Sequence, residues 1–247
     1  MTNQRCADIT EAGVSLWLDD LSRSRITTGN LQEMLAEFGI RGVTTNPAIF
    51  QQALSDSSAY TEQLRKLAEA GHDASQTVTE VTSTDVALAC DQLADLYTNS
   101  NGVDGRVSIE VDPRLAHDTA ATVKQAKDLA FRIAKPNLMI KIPATEAGLP
   151  AITEVIGAGI SVNVTLIFSL GRYREVINDY MLGLEKAHQA GIPLADIHSV
   201  ASFFVSRVDT KVDEQLPSDS LLRGKSGVAN AQLAYRIFEQ SQETTRW

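Results

Sequence analysis

The sequence predicts an α/β protein of the TIM-type (β/α)8 barrel family, with about six of the eight strands present in this chain. Three observations predict it. Short apolar runs alternate with longer amphipathic segments, as in β-α units around a parallel sheet. Helix-boundary residues fall between the runs. Polar residues interrupt the runs at or near the end that leads into the next helix.

Six runs read as strands, near Ser15–Leu18, Gly42–Thr45, Arg106–Val111, Leu138–Ile142, Ile160–Ile167 and His198–Ser202. Between them, helical spacing is carried by Leu31, Leu35 and Phe38, by Val123, Ala126, Ala130 and Ile133, and by Tyr173, Val176, Ile177, Tyr180, Leu184 and Ala187. Gly39 stands where a C-terminal glycine cap belongs, and Asp112-Pro113 reads as an N-cap followed by an N1 proline. The stretch Gln51–Asp104 carries no convincing strand and reads as two or more helices inserted between the second and third strands. After Ser202 only helical patterns remain, first Val208, Val212 and Leu216, then Val228, Ala231, Tyr235 and Phe238. Without a linker, low-complexity tract or short repeat, residues 1–247 are expected to form a single domain.

Composition bounds the partners. A formal charge of −9 argues against a general nucleic-acid or membrane-surface binder, because either would meet net repulsion. An anionic small substrate would need locally placed Arg or Lys. Cys6 and Cys90 offer neither a disulfide framework nor metal-ligand spacing, and Cys90 lies on the apolar stripe of Val86, Leu93 and Tyr97, where it reads as a small core residue. No charged leader opens the chain, and the run Ile160–Leu170 is too short and too polar to span a bilayer. A reducing, cytoplasmic setting is expected. The four histidines occur singly, which disfavours metal-dependent chemistry, so no metal and no cofactor are expected.

The interrupted strands read LWLD, VTTNP, SIEVDP, LMIKIP, VNVTLIF and SVAS, so Asp19, Asn46, Glu110, Lys141, Asn163, Thr165 and Ser202 recur at comparable positions. In a parallel barrel the C-terminal strand ends converge on the face where active sites are found. Lys141 is the most telling of the seven. An ammonium buried among Ile140 and Ile142 costs several kcal/mol unless paired or neutral, and desolvation favours the free amine. A free amine attacks a ketone. The protonated imine then withdraws electrons from the adjacent carbon–carbon bond, so a β-hydroxy ketone cleaves once a base removes its hydroxyl proton. Asp19 or Glu110 could serve as that base, with the other moving protons during imine formation.

The strings WLDDLSR, GVTTNPAIF, SIEVDPRL, LMIKIPATEAG, VNVTLIFSLGRY and SFFVSRVDTKVD, in this order, resemble the transaldolase family of the long bacterial type over essentially the whole chain. The resemblance implies transfer of a dihydroxyacetone unit between sugar phosphates: sedoheptulose 7-phosphate and glyceraldehyde 3-phosphate give erythrose 4-phosphate and fructose 6-phosphate, in the pentose phosphate pathway. It implies Lys141 as the Schiff-base nucleophile. Asp19, in preference to Asp20, would be the proton acceptor of the cleaved hydroxyl. Glu110 would act through a water that Thr165 helps to hold. Asn46, Asn163 and Ser202 would hold the dihydroxyacetone hydroxyls, and Arg207 would contact the phosphate. The family continues past Trp247, so a chain lacking the last two β-α units is expected, with reduced activity as one consequence. Sugar phosphates are the expected partners, with a homo-oligomer open beside them. Two other readings stand beside this one: a Schiff-base aldolase that needs no acceptor, and an inactive truncated barrel serving only in binding or assembly.

Overall fold

The computed structural model describes residues 3–55 and 57–247. The strands β1 (Leu16–Leu18), β2 (Ile40–Thr44), β3 (Arg106–Glu110), β4 (Leu138–Pro143), β5 (Val162–Ile167) and β6 (Ser199–Phe203) form one sheet in sequence order. The fold is α/β of the TIM-barrel type with six of the eight strands. Each predicted run overlaps its strand, and β3, β4 and β5, buried over nearly their whole length, read as apolar runs. The chain packs as two compact units, Met1–Glu110 with Asp128–Ile140, and Val111–Lys127 with Lys141–Trp247.

The first unit holds α1 (Gln4–Glu11), α2 (Arg23–Thr27), α3 (Asn30–Phe38), α4 (Pro47–Ser55), α5 (Thr61–Glu69), α6 (Ala74–Gln92) and α7 (Ala94–Asn99). α4 to α7 are the helical insertion expected between the second and third strands. β1 pairs in parallel with β2, with an irregularity between Leu16 and Trp17, and β2 pairs in parallel with β3. Trp17 explains Gly42, its partner across the ladder: a Cβ there would lie 2.4 Å from the indole ring. Gly39 ends α3 in the left-handed region at φ 63°, as a C-cap glycine does. The core is built from Leu31, Val43, Val81, Val86, Leu93 and Val107, all fully buried. Cys90 joins them at 1% exposure, and burial pushes its thiol up to about 12, the behaviour of a core residue. α1 carries no apolar run that would announce it; Asn3 caps it, accepting from the Cys6 N–H at 3.3 Å.

α8 (Thr119–Ile133) and β4 are divided between the units. The second unit adds α9 (Gly148–Ile156), α10 (Leu170–Gln189), α11 (Ser206–Asp213) and α12 (Ser226–Gln242). Asp112 does cap a helical turn, accepting from the Arg114 N–H at 2.9 Å, but the turn is a single 3₁₀ piece, Pro113–Leu115. α8 starts later and takes its own cap from Asp118, which accepts from the Ala121 N–H at 2.9 Å. β5 and β6 pair in parallel with a register shift between Val164 and Ile167. At that shift Leu166 takes φ 60°, a conformation in which a branched side chain crowds its own carbonyl.

Candidate active site

In the first unit, Asp19 is the first residue after β1 and stands exposed. The residues after it are each fixed. Asp20 binds Arg25 at 2.5 Å, Leu21 is fully buried, and Ser22 caps α2 by accepting from the Arg25 N–H at 3.2 Å. Among the described residues, no side chain is bonded to Asp19. It borders a cavity of about 350 Å³ shared with Asp20, Ser22 and Ser24 on one side and with Ile49, Gln52, Ala53 and Tyr60 on the other. Asn46 lies in the turn after β2, half-buried, and accepts from the Ile49 N–H at 3.1 Å, so it caps the helix that lines this cavity. Glu110 is the last residue of β3 and is half-buried.

In the second unit, Lys141 is the fourth residue of β4, a strand buried along its whole length, and its own exposure is 7%. Its carbonyl accepts from the Val111 N–H at 3.1 Å. Asn163 and Thr165 lie two apart in β5, each 2% exposed, on one face by strand periodicity. Ser202 on β6 donates its hydroxyl proton to Asn163 Oδ1 at 2.8 Å, so these two are brought into direct contact. The Thr165 carbonyl accepts from the Ala144 N–H at 2.8 Å, immediately before the irregularity at Leu166. Arg207, in the first turn of α11, is exposed and lies 4.7 Å over the Phe204 ring, which stacks on Phe168 at 5.0 Å. The aromatic face holds the guanidinium without neutralising it. Among the described residues no group of three or more His, Cys, Asp or Glu is placed to hold a metal ion, and no helix is long and apolar enough to cross a membrane.

Lys141 thus stands in a strand that is buried throughout. Residues 16–246 match the profile described as Transaldolase/Fructose-6-phosphate aldolase. The chain belongs to this transaldolase family. Among curated relatives it is 57% identical to Transaldolase 1 of Streptomyces avermitilis, over 97% of this chain and 65% of that protein. It is 60% identical to Transaldolase 1 of Streptomyces coelicolor, over 96% and 62%, and 59% identical to the transaldolase of Mycolicibacterium smegmatis, over 96% and 66%. The chain thus spans slightly less than two thirds of the length of these transaldolases.

One set of residues in this transaldolase-family chain escaped the sequence patterns. Asp85 lies on the buried face of α6, fully inaccessible. Arg23, the first residue of α2, gives it a short hydrogen bond from Nε, and Tyr60 donates its phenol proton to Oδ2 at 2.9 Å. The same phenol oxygen accepts the Arg23 backbone N–H at 2.9 Å. Gln63 takes the outer guanidinium nitrogen at 2.7 Å and donates to Thr84 at 2.9 Å. Burial pushes the Asp85 carboxyl above its ordinary range, with Arg23 opposing it, and burial pushes the Tyr60 phenol up to about 12. The available signal was a lone aspartate on the apolar stripe of Val81, Val86 and Ala89.

Proposed function

We propose that this chain is a transaldolase that works through a Schiff base on Lys141 and moves a dihydroxyacetone unit between sugar phosphates. The observation that carries the reading is Lys141 itself, 7% exposed between the fully buried Ile140 and Ile142. A primary amine held in a strand that is otherwise apolar is placed to add to a ketone carbonyl. The amine adds to the carbonyl carbon, water leaves, and a protonated imine remains. Asp19, carboxylate-exposed at its cavity, takes the proton of the β-hydroxyl. The bond between the α and β carbons then breaks, its electron pair passes to the imine nitrogen as an enamine, and an aldose phosphate departs. The enamine attacks an acceptor aldehyde, the new alkoxide recovers its proton from Asp19, and water releases the ketose. Glu110 moves protons through a water during imine formation and hydrolysis, with Thr165 holding that water. Asn46, Asn163 and Ser202 hold the hydroxyls of the three-carbon unit, and Arg207 meets the phosphate.

The sugar phosphates are the only partners this reading needs; the charge of −9 speaks against nucleic acid, and the metabolic role with two free cysteines supports a cytoplasmic setting. Borohydride reduction in the presence of fructose 6-phosphate tests it. A three-carbon adduct should map to Lys141, and an adduct on Lys135 or Lys225 would overturn the assignment. The family's description also names an aldolase, and acceptor-dependent transfer measured against simple cleavage separates the two.

A further inference from the structure

From the buried charge network of the first unit we infer that Asp85 is a positioning residue, which through Arg23 and Tyr60 fixes the turn that carries Asp19. This rests on the proposed role of Asp19.

The turn from Leu18 to Arg23 is held at both ends. At its start, Leu18 is in register with Val43 in the β1–β2 ladder. At its end stands Arg23, whose side chain is bonded to the interior carboxylate of Asp85 and whose main chain is tied to the same carboxylate through the Tyr60 phenol. Asp85 Oδ1 receives the Arg23 guanidinium, and Asp85 Oδ2 receives the Tyr60 phenol proton at 2.9 Å. The phenol oxygen in turn receives the Arg23 N–H at 2.9 Å. Tyr60, 1% exposed, also lines the cavity to which Asp19 is open. Asp19 is therefore suspended between two fixed points only a few residues apart, while carrying no side-chain partner of its own among the described residues.

A fold does not need this arrangement for stability alone. A buried ion pair is commonly matched or bettered in stability by apolar residues of similar volume, and fixing the Asp19 turn is the use assigned to this one. An acid or base displaced by about 1 Å loses on the order of a hundredfold in rate, which makes the turn's exact placement worth that cost.

The test compares Asp19→Asn, Tyr60→Phe, Asp85→Asn and the double variant Asp19→Asn/Tyr60→Phe. It is made in the 247-residue chain and in a chain extended to the length of the relatives. Tyr60→Phe keeps the buried ring and removes only the bridging hydroxyl, so it carries the test if Asp85→Asn does not fold. Tyr60→Phe should lower the kcat for carbon–carbon cleavage about tenfold. Its KM and its borohydride-trapped imine at Lys141 should stay within about twofold. The double variant should be no slower than Asp19→Asn alone, because the network acts through Asp19. A parallel fall in trapping and cleavage, an unchanged kcat in folded Tyr60→Phe, or additive losses in the double variant would each sink the inference. If Asp19→Asn itself cleaves normally, or if neither chain length turns over fructose 6-phosphate, it is the reading of the site that falls, and this inference with it.

Discussion

Asp19 and Asp20 are adjacent in sequence and opposite in circumstance. Asp20 is committed to Arg25, whereas Asp19 is exposed and unbonded among the described residues. Asp19→Asn is therefore expected to leave imine trapping intact and to block carbon–carbon cleavage, while Glu110→Gln slows imine formation itself. Single-turnover measurements that gave the reverse pattern would exchange the two roles. Tyr60 makes a prediction about pH. Its pKa rises from 10.0 to about 12 on folding, chiefly by burial, so the folded state favours the protonated phenol. The resulting stabilisation is whole below about pH 10, is lost as pH climbs to about 12, and amounts to at most about 2–3 kcal/mol. Urea unfolding at about pH 9 and about pH 11.5 should show a smaller alkaline loss in Tyr60→Phe than in the parent chain.

At the scale of elements, two contacts in the second unit decide how strands and helices meet. β5 carries Thr165 and then turns through Leu166 at φ 60° before pairing resumes at Ile167 with Phe203. Since a left-handed residue costs an L side chain about 1–2 kcal/mol, Leu166→Gly should hold or raise stability by up to about 1 kcal/mol. Leu166→Val, branched at Cβ, should lose about 1–2 kcal/mol. α10 crosses α9 closely at Gly183, where an added Cβ would stand 2.6 Å from Ile156 and 3.1 Å from the Thr153 carbonyl oxygen. Gly183→Ala is expected to cost about 1–3 kcal/mol through overpacking, although alanine is the better helix former. Chemical denaturation of both sets reads these outcomes directly, and a stabilised Gly183→Ala would show that the helices can separate freely.

For the whole molecule, the sheet order leaves β1 and β6 outermost, each paired to one neighbour among the described residues. Beside β6, an apolar groove of about 390 Å³ is lined by Tyr173, Tyr180, Phe203, Ala234, Phe238 and Trp247. Leu221 and Leu222 are exposed at 84% and 62%. Unpaired strand edges and contiguous apolar surface both favour association between copies. The 247-residue chain alone is therefore expected to self-associate in size-exclusion chromatography and to have low transaldolase activity. A chain extended by the additional length of the relatives should run as a smaller, more active species. A soluble monomer of 247 residues with the activity of the extended chain would refute this.

The strands were legible because burial leaves a local trace: β4 reads as an apolar run with Lys141 as its one charged interruption, and α10 as a stripe repeating every three or four residues. Gly39 and Cys90 were legible for the same reason, since a left-handed cap and a core thiol are each specified by their immediate neighbours. The candidate site residues stand out in the sequence because they interrupt or follow the apolar runs and because six strings resemble one family in order. By contrast, Asp112-Pro113 reads as a helix start, whereas the turn it caps ends at Leu115 and α8 begins separately at Thr119. Nothing local distinguishes Asp19 from Asp20 until Arg25 takes one of them. Asp85 meets Arg23 across 62 positions and Tyr60 across 25. The sequence by itself determined where the apolar runs lie and which polar groups interrupt or follow them, because those follow from residues a few positions apart. Only the tertiary structure decided which charges meet, because an ion pair forms between side chains that packing, and not sequence proximity, brings within reach.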